Sequence, residues 1–266
     1  MNAGAAASGF GARLGRVRGK VYAFANQKGG VGKTTSAVNL AACLAEAGER
    51  AVVVDLDPQA NATSGLGVRA NGTSTYDLLD GATLDDLAKP TRFANLFLVP
   101  SRPELAGAAV ELSRREDGDR FLADALAGAA NFDFVLLDCP PSLGPLTVNA
   151  LAAAHRVVVP VQTEYYALEG LAQLVQSIEL VKRRLNPTLA IAGVLLTMAD
   201  ARTRLSAEVE AEVRKHFGTL VFDAVVPRSI RVAEAPSHGL PVTHYDRRSR
   251  GAEAYWKVAM ELVERS

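Results

Sequence analysis

Seven short runs of β-branched and other apolar residues recur along this 266-residue chain, separated by stretches with helical spacing of apolar residues. The runs cover residues 20–26, 50–57, 95–100, 132–138, 155–161, 190–197 and 219–227. They are apolar almost throughout rather than alternating, a pattern typical of strands buried on both faces of a parallel sheet. Strands that alternate with helices predict right-handed βαβ crossovers. We therefore expect an α/β fold, a doubly wound, mainly parallel sheet with helices on both faces.

Three helical segments between or after these runs bear on function. Residues 165–185 form the clearest one, with apolar side chains repeating along one face. A second is predicted near 203–217. The third, at 251–266, has both acidic and basic residues opposite its apolar positions, so it lacks the basic face of a membrane-surface helix. We expect its apolar side to pack on the sheet.

The composition is that of a soluble globular protein, with 48% apolar and 22% charged residues. Lys plus Arg number 29 and Asp plus Glu number 29, so a polyanionic partner would require locally concentrated positive charge. No apolar run approaches the ~18 residues of a membrane span, and the start lacks the apolar segment of a secretory signal. We expect a cytoplasmic protein with one domain, 20–266, after a flexible basic arm, 1–19.

A glycine-rich run, NQKGGVGKTTS at 26–36, follows the first predicted strand and opens a helix. Its glycines, Gly29, Gly30 and Gly32, allow successive N–H groups to point inward as an anion-binding nest, and the helix adds the positive end of its dipole. In phosphate loops of this kind the lysine, here Lys33, reaches the β- and γ-phosphates, and the next hydroxyl, here Thr34, binds Mg²⁺.

The run departs from the common phosphate loop at its start. The usual pattern has a glycine five residues before the second glycine, a position that Gln27 occupies here. A second lysine, Lys28, stands beside it. The loop therefore carries a lysine at each end, which a single phosphate-binding role does not explain.

Carboxylates and a proline stand where other predicted strands end. Asp55 and Asp57 close the second run, Asp138 the fourth and Pro227 the last. Ligands of open parallel sheets bind outside the carboxyl ends of the strands. We therefore expect these residues to gather with the glycine-rich loop at one edge of the sheet.

Four motifs carry a resemblance to a known family. KGGVGKTT, VVVDLDPQANAT and VLLDCPPSLGPLTVNAL resemble the motifs of the ParA/MinD branch of P-loop ATPases, which has a deviant Walker A loop, and VPRSIRVAEAPSHGLPV is similar to the ParA/Soj subgroup, the chromosome-partition ATPases. The similarity extends from about Val21 to the end of the chain. It implies a Mg²⁺-dependent ATPase that hydrolyses ATP to ADP and phosphate and forms an ATP-dependent homodimer.

The resemblance implies roles for individual residues. Lys28 matches the lysine that reaches the nucleotide of the partner subunit, much as an arginine finger does, and Gly29 lies beside the facing loop. Asp57 matches the carboxylate that orients the attacking water, so the catalytic residues are Lys28, Lys33 and Asp57. Asp138 would hold Mg²⁺ through water, with Asp55 beside the metal's own ligands. Thr34 and these two aspartates complete the expected metal site.

The remaining ATP contacts are also implied by family position. Pro227, Arg228 and Ser229 would close over the adenine, although the family usually has asparagine where this chain has Ser229. The full set expected around ATP is Lys28, Gly29, Gly30, Val31, Gly32, Lys33, Thr34, Thr35, Asp55, Pro227, Arg228 and Ser229.

The subgroup also implies partners. Arg202 and Arg231, with Arg204 nearby, match a patch that binds double-stranded DNA without sequence preference. A ParB-type centromere-binding protein would stimulate hydrolysis in chromosome or plasmid segregation. The protein would then be associated with the nucleoid, with no membrane partner. The basic arm, 1–19, either touches DNA or is a solvated tail.

Three other functions share features with this sequence. A MinD-like membrane-associated ATPase that positions cell division is the nearest alternative, and a P-loop synthetase acting on a small acid is more distant, since no motif for a second substrate is found. An iron–sulfur protein of the nitrogenase type needs two cysteine ligands from each subunit. Only Cys139 is a candidate, because Cys43 falls on the apolar face of a helix. We reject the cluster.

Overall fold

The computed structural model describes residues 19–127, 131–165 and 167–265. Seven strands lie within these ranges and form one sheet, in the order β3-β4-β2-β5-β1-β6-β7. They are β1 (Lys20–Phe24), β2 (Ala51–Asp55), β3 (Lys89–Pro90), β4 (Leu96–Val99), β5 (Phe134–Asp138), β6 (Arg156–Gln162) and β7 (Ala190–Thr197). All neighbours pair in parallel except β3 and β4, which are antiparallel.

Helices cover both faces of the sheet. Within the described ranges they are α1 (Lys33–Glu46), α2 (Asn61–Gly65), α3 (Thr75–Leu79), α4 (Leu84–Leu87), α5 (Leu105–Leu112), α6 (Phe121–Leu126), α7 (Pro145–Ala153), α8 (Ala167–Arg184), α9 (Arg204–Phe217), α10 (Ile230–Glu234), α11 (Val242–Tyr245) and α12 (Arg250–Glu264). Short 3₁₀ turns cover Gly218–Leu220 and Ala235–His238. The predicted helices at 165–185, 203–217 and 251–266 correspond to α8, α9 and α12.

The core consists of two apolar layers, one on each side of the sheet. In β2, Val52 and Val54 belong to one layer, and Ala51 and Val53 belong to the other. Successive side chains of a strand point to opposite faces, so a strand buried on both sides must be apolar throughout. Each fully buried valine or leucine contributes about 1.5–3 kcal/mol. The doubly wound fold predicted from the unbroken apolar runs is confirmed.

The last helix, α12, is part of this core. Its apolar residues Tyr255, Val258, Ala259 and Leu262 are buried and belong to the same layer as α1. Its first turn lies against α10, where a Cβ on Gly251 would collide with Val232. The same layer contains Tyr22 and Phe24 of β1, so the expectation that the apolar side of this helix packs on the sheet is correct.

No helix in the described part of the chain combines the length and the apolar character needed to cross a bilayer.

The predicted strand at 219–227 is wrong. Six of the seven predicted runs are strands, but this one begins in a 3₁₀ turn and forms only isolated bridges, from Val221 to Val194 of β7 and from Pro227 to Ala199 just beyond it. Its amides at 222 and 226 still donate to β7 carbonyls, but side chains bind the backbone between them. The Glu261 carboxylate accepts the amides of residues 223 and 224 at 2.7 Å each, and Arg214 donates to the carbonyls of residues 222 and 223. The two-residue edge strand β3, which contains a proline, was not predicted.

The predicted basic arm, 1–19, lies outside the described residues except for Gly19.

Candidate active site

The glycine-rich loop connects β1 to α1 at the carboxyl edge of the sheet. Gly30 and Gly32 adopt φ angles of 74° and 88°, in the left-handed region that side chains disfavour. Gly32 is also the residue from which α1 starts. The Thr197 hydroxyl, at the end of β7, donates to the Val31 carbonyl at 2.8 Å. The loop is thus held from the neighbouring part of the sheet as well as by its own turns.

Lys33 lies inside the loop. Its side chain is buried, and its Nζ donates to the Lys28 carbonyl at 2.9 Å, so the ammonium bends back over the glycines. Burial lowers the pKa of Lys33, while the charges of Asp138, Cys139 and Asp57 oppose that shift. A buried cation over a glycine-rich turn at the start of a helix is an arrangement suited to a polyanion.

Lys28 occupies the outer side of the same loop. Its backbone amide donates to the Asn26 side chain at 3.0 Å, and its side chain is 46% exposed. Its Nζ lies 2.8 Å from Oε2 of Glu164, on the segment after β6. The two lysines therefore face different surroundings, Lys33 within the loop and Lys28 at its surface.

Two aspartates face the loop from adjacent strands. Asp55 and Asp138 are register partners at the carboxyl ends of β2 and β5, and both are fully buried. Burial raises the pKa of Asp55 to about 6, against the lowering effect of hydrogen bonds from Thr63 and Asp57. Burial, and then the charge of Asp55, raise the pKa of Asp138 well above its usual range. Two carboxylates this close favour a shared proton or a bound cation.

The Asp138 carboxylate has unmet bonding capacity. Both of its oxygens are buried and lack a hydrogen-bond partner among the described residues. The Thr34 hydroxyl is near enough to lower the pKa of Asp138, although its geometry falls short of a full hydrogen bond. Buried polar groups without partners are rare and indicate a missing water or ion. This carboxylate beside a hydroxyl fits Mg²⁺, which takes oxygen ligands and keeps several waters.

No cluster of three or more His, Cys, Asp or Glu side chains that could hold a metal alone is found within the described ranges. Such a cage is not needed for nucleotide-bound Mg²⁺, which one or two protein oxygens and the phosphates hold together.

Asp57 stands at the entrance to a turn that leads into α2. Its side chain is mostly buried, and its Oδ1 accepts the Gln59 amide at 2.9 Å. Its own amide donates to Asp55 at 3.2 Å. The side chain lines the same cavity as the glycine-rich loop.

A cavity of about 590 Å³ extends from the loop towards α10. The phosphate-loop residues lie at one end, and Pro227, Arg228 and Ser229 lie at the other. The Ser229 hydroxyl accepts the Val232 amide at 3.4 Å and so caps the first turn of α10. Nucleotide-sized ligands occupy cavities in this size range. Every residue expected around ATP except Lys28, Val31 and Asp55 lines it.

The three arginines expected to bind DNA are each paired with carboxylates. Arg202 makes a bidentate pair with Asp200, with distances of 2.9 and 2.7 Å. Arg204 contacts Glu208, and Arg231 contacts both Glu234 and Asp246. Arg202 and Arg204 are 84% and 91% exposed, so these are surface ion pairs that contribute little stability.

Sequence reasoning missed two side chains at this edge. Thr197 anchors the loop, and Glu164 pairs with Lys28. Thr197 ends one predicted strand and Glu164 follows another, so the rule that ligands bind at the carboxyl ends of strands could have found both. Their partners, however, lie more than 100 residues away in sequence, and no local pattern predicts those contacts.

Known proteins match nearly the whole chain. Residues 19–191 match a family described as an AAA domain. The chain is 52% identical over 249 residues to the sporulation initiation inhibitor protein Soj of Bacillus subtilis, covering 92% of this chain and 98% of that protein. It is 48% identical over 266 residues to the chromosome partitioning protein ParA of Myxococcus xanthus, covering 98% and 94%.

Solved structures show the same fold. Cobyrinic acid a,c-diamide synthase from Mycobacterium smegmatis, with bound ADP and magnesium, has a TM-score of 0.79 and 37% identity, covering 90% of this chain and 92% of that one. The cell division ATPase MinD of Pyrococcus furiosus has a TM-score of 0.77 over 93% of this chain at 24% identity, which supports the fold alone. The magnesium and ADP of the former match the chemistry of the loop described above.

Proposed function

Since this chain belongs to the ParA/Soj family of P-loop ATPases, we propose that it is an ATP-driven DNA-binding switch that acts in chromosome or plasmid segregation. Its relatives at 48–52% identity include proteins named for chromosome partitioning. In this proposal ATP joins two copies of the chain, the dimer binds DNA without sequence preference, and a ParB-type partner stimulates hydrolysis. The protein would act on the nucleoid in the cytoplasm, through the domain 20–266 with its basic arm.

The observation that carries this proposal is the different placement of the loop's two lysines. Lys33 is buried and directed over its own loop, whereas Lys28 is half exposed on the outer side. A lysine on the outer side can approach the phosphates of a second subunit once it leaves its surface ion pair with Glu164. Charge supplied in trans stabilises the transferred phosphoryl group. Hydrolysis would then depend on pairing.

In the proposed site, Lys33 and the amides of the glycine-rich loop bind the phosphates. Thr34 ligates Mg²⁺, and Asp138 holds the ion through water, which gives its unpartnered oxygens a role. When bound, Mg²⁺ neutralises charge on the phosphate oxygens. Asp57 positions the attacking water, and Asp55 stays beside the metal's ligands. Pro227, Arg228 and Ser229 enclose the base.

DNA binding is assigned to the arginine surface formed by Arg202, Arg204 and Arg231. Their guanidinium groups are exposed, and their carboxylate partners are held only by surface ion pairs, which phosphate groups can replace. The chain has equal numbers of acidic and basic residues, so a single copy should hold DNA weakly. Two copies on one rigid dimer make the second set of contacts intramolecular.

The test is binding of plain duplex DNA and of anionic liposomes, each with and without ATP. We expect DNA binding only with ATP, equal for unrelated sequences, and weakening with salt by roughly 0.9 in log–log slope for each DNA phosphate that the protein neutralises. Arg202→Gln should weaken binding and make this slope shallower. Arg115→Gln is the matched control, because Arg115 is also exposed and also pairs with an aspartate two residues away. Equal DNA affinity without ATP would overturn the proposal, as would ATP-dependent binding to liposomes alone.

A synthetase of a small acid remains a second candidate because one similar solved structure is named a diamide synthase. Its identity to this chain is 37%, against 52% for Soj. ATP hydrolysis that DNA and a ParB-type protein leave unchanged, but that a small carboxylic acid with an amine donor stimulates, would favour this function. The MinD-like alternative is disfavoured because the apolar face of α12 is buried.

A further inference from the structure

Thr63 connects α2 with the carboxyl ends of β2 and β4 through one hydroxyl group. The side chain is almost fully buried on α2. Its Oγ1 donates to Oδ2 of Asp55 at 2.6 Å and accepts the Ser101 amide, at the end of β4, at 2.9 Å. Its own backbone amide also donates to Oδ2 of Asp55, at 2.9 Å.

Asp55 fastens both ends of the segment that carries Asp57. Its Oδ1 accepts the Asp57 amide at 3.2 Å, and its Oδ2 accepts the amide and the hydroxyl of Thr63. The Asp55 carbonyl in turn accepts the Thr75 hydroxyl at 2.7 Å. The turn from 57 to 63 is therefore closed on one buried carboxylate, and Thr63 supplies two of the three bonds to it.

The backbone inside this turn is strained. Ala60 has a φ of 54°, in the left-handed region that alanine rarely adopts. Such a conformation persists only where the surrounding structure over-determines it. The bonds at the two ends, from Asp57 and Thr63 to Asp55, supply that constraint. The same turn and α2 line the cavity with Asp57, Gln59, Asn61 and Ser64.

We infer that Thr63 is a positioning residue for ATP hydrolysis, which holds the turn so that the Asp57 carboxylate faces the cavity in a fixed place. This rests on the proposed function of Asp57. Thr63 would not contact ATP itself, because its hydroxyl already donates to Asp55 and accepts from the Ser101 amide. Misplacing a catalytic group by about 1 Å can cost on the order of 10²-fold in rate.

The variant that tests this is Thr63→Val, which replaces the hydroxyl with a methyl of similar shape. It leaves the Ser101 amide without its partner and Asp55 with one bond fewer. We expect kcat for ATP hydrolysis to fall at least about tenfold. The Kd for ATP should change less than about twofold, because Lys33 and the glycine-rich loop are untouched. Thr63→Ser keeps the hydroxyl and should restore most of kcat.

A control separates positioning from general loss of stability. Thr147 is also buried and its hydroxyl donates a bond of 2.6 Å, to the Ser142 carbonyl. Thr147→Val should lower Tm comparably but leave kcat within about twofold of the wild type. If Thr63→Val does not fold, Thr63→Cys, a weaker donor, should give an intermediate kcat between those of Thr63→Ser and the inactive Asp57→Ala.

The outcomes are distinguishable from those of the proposed function. A normal kcat in Thr63→Val beside an inactive Asp57→Ala would overturn the role of Thr63 alone. Full activity in Asp57→Ala would overturn the proposed role of Asp57 and this inference with it. Equal losses of kcat and ATP affinity that Thr63→Ser fails to rescue would show that Thr63 supports the fold, not the chemistry.

Discussion

Lys28, on the outer side of the glycine-rich loop, and Glu164, just after β6, form an ion pair with 2.8 Å between Nζ and Oε2. Both side chains are nearly half exposed, so the pair contributes little to the stability of the fold. Its significance is that Glu164 and the nucleotide of a partner subunit would compete for the Lys28 ammonium. A lysine that serves a partner's nucleotide must first leave its own carboxylate.

Glu164→Gln should therefore favour ATP-dependent pairing. Each exposed ion pair is worth up to about fivefold in an equilibrium constant, and a dimer breaks two of them, so we expect up to about 25-fold tighter association. The gain should shrink in high salt, which already weakens the pair. Sedimentation with ATP measures it, with Glu104→Gln, which breaks the exposed pair to Arg102, as the control. Weaker pairing would argue that Glu164 itself contacts the second subunit.

Lys33→Ala should abolish or greatly weaken ATP binding, because it removes the buried ammonium over the glycine-rich loop. Lys28→Ala is the comparison, since it removes a lysine from the outer side of the same loop and should leave the affinity of a single subunit nearly unchanged. Calorimetric titration distinguishes the two. Unchanged affinity in a folded Lys33→Ala protein would contradict the assignment.

Asp57→Ala should bind ATP and remain paired while hydrolysing it slowly. Removing a group that positions water affects the chemical step and spares binding, so turnover should fall by at least about 10²-fold. Size-exclusion chromatography with ATP should show a dimer that persists longer than that of the wild type. If Asp57→Ala is a monomer at saturating ATP, the role of Asp57 in positioning water after pairing is contradicted.

Gly29→Val should block pairing and spare ATP binding. Within one chain a Cβ on Gly29 would meet Pro141 at 3.8 Å, an ordinary contact. Loss of pairing with ATP affinity retained would then point to the approach of a second subunit. Gly107→Val, in open space on α5, is the control. Normal ATP-dependent dimers of Gly29→Val would exclude close approach of two such loops.

Stability without nucleotide should fall as pH rises through the range set by Asp55. Burial raises its pKa to about 6, above the ~3.9 of an unfolded chain. The folded state thus binds the proton more tightly, and stability declines from about pH 4 to 6, on the order of 3 kcal/mol for this group. Urea unfolding at about pH 4 and pH 7 measures the change. Asp55→Asn, which cannot ionise, should reduce this change in the free energy of unfolding. The same pH dependence in Asp55→Asn would show that another group causes it.

The sheet and the loop were predictable because their signals are local. Buried strands must be apolar on both faces, and a glycine-rich turn ending in Lys33 and Thr34 needs no distant partner to be recognised. The segment 219–227 has the same composition as a strand, yet two of its central amides, at 223 and 224, donate to Glu261 some 37 residues away. Nothing in the segment itself reveals that competitor.

For the candidate site too, the positions of the residues could be predicted, but their side-chain contacts could not. The carboxyl-edge rule brought Asp55, Asp57 and Asp138 to the loop, where the structure has them. It could not supply the bonds among them or show that Thr63 would close the turn, because those depend on side-chain packing. The pairing of Arg202 with Asp200 was also unforeseen, although the two are only two residues apart.

The contact between Gly251 and Val232 ties the nucleotide cavity to α12, more than 200 residues along the chain from the glycine-rich loop. Val232 lines the cavity, and the helix that begins beside Gly251 supports it so closely that a methyl group has no room. A premature stop codon that removes this helix would take buried Tyr255, Val258 and Leu262 out of the core together with the support of Val232. Such an allele should lose ATP binding through loss of the fold, although the sequence of its glycine-rich loop is unchanged.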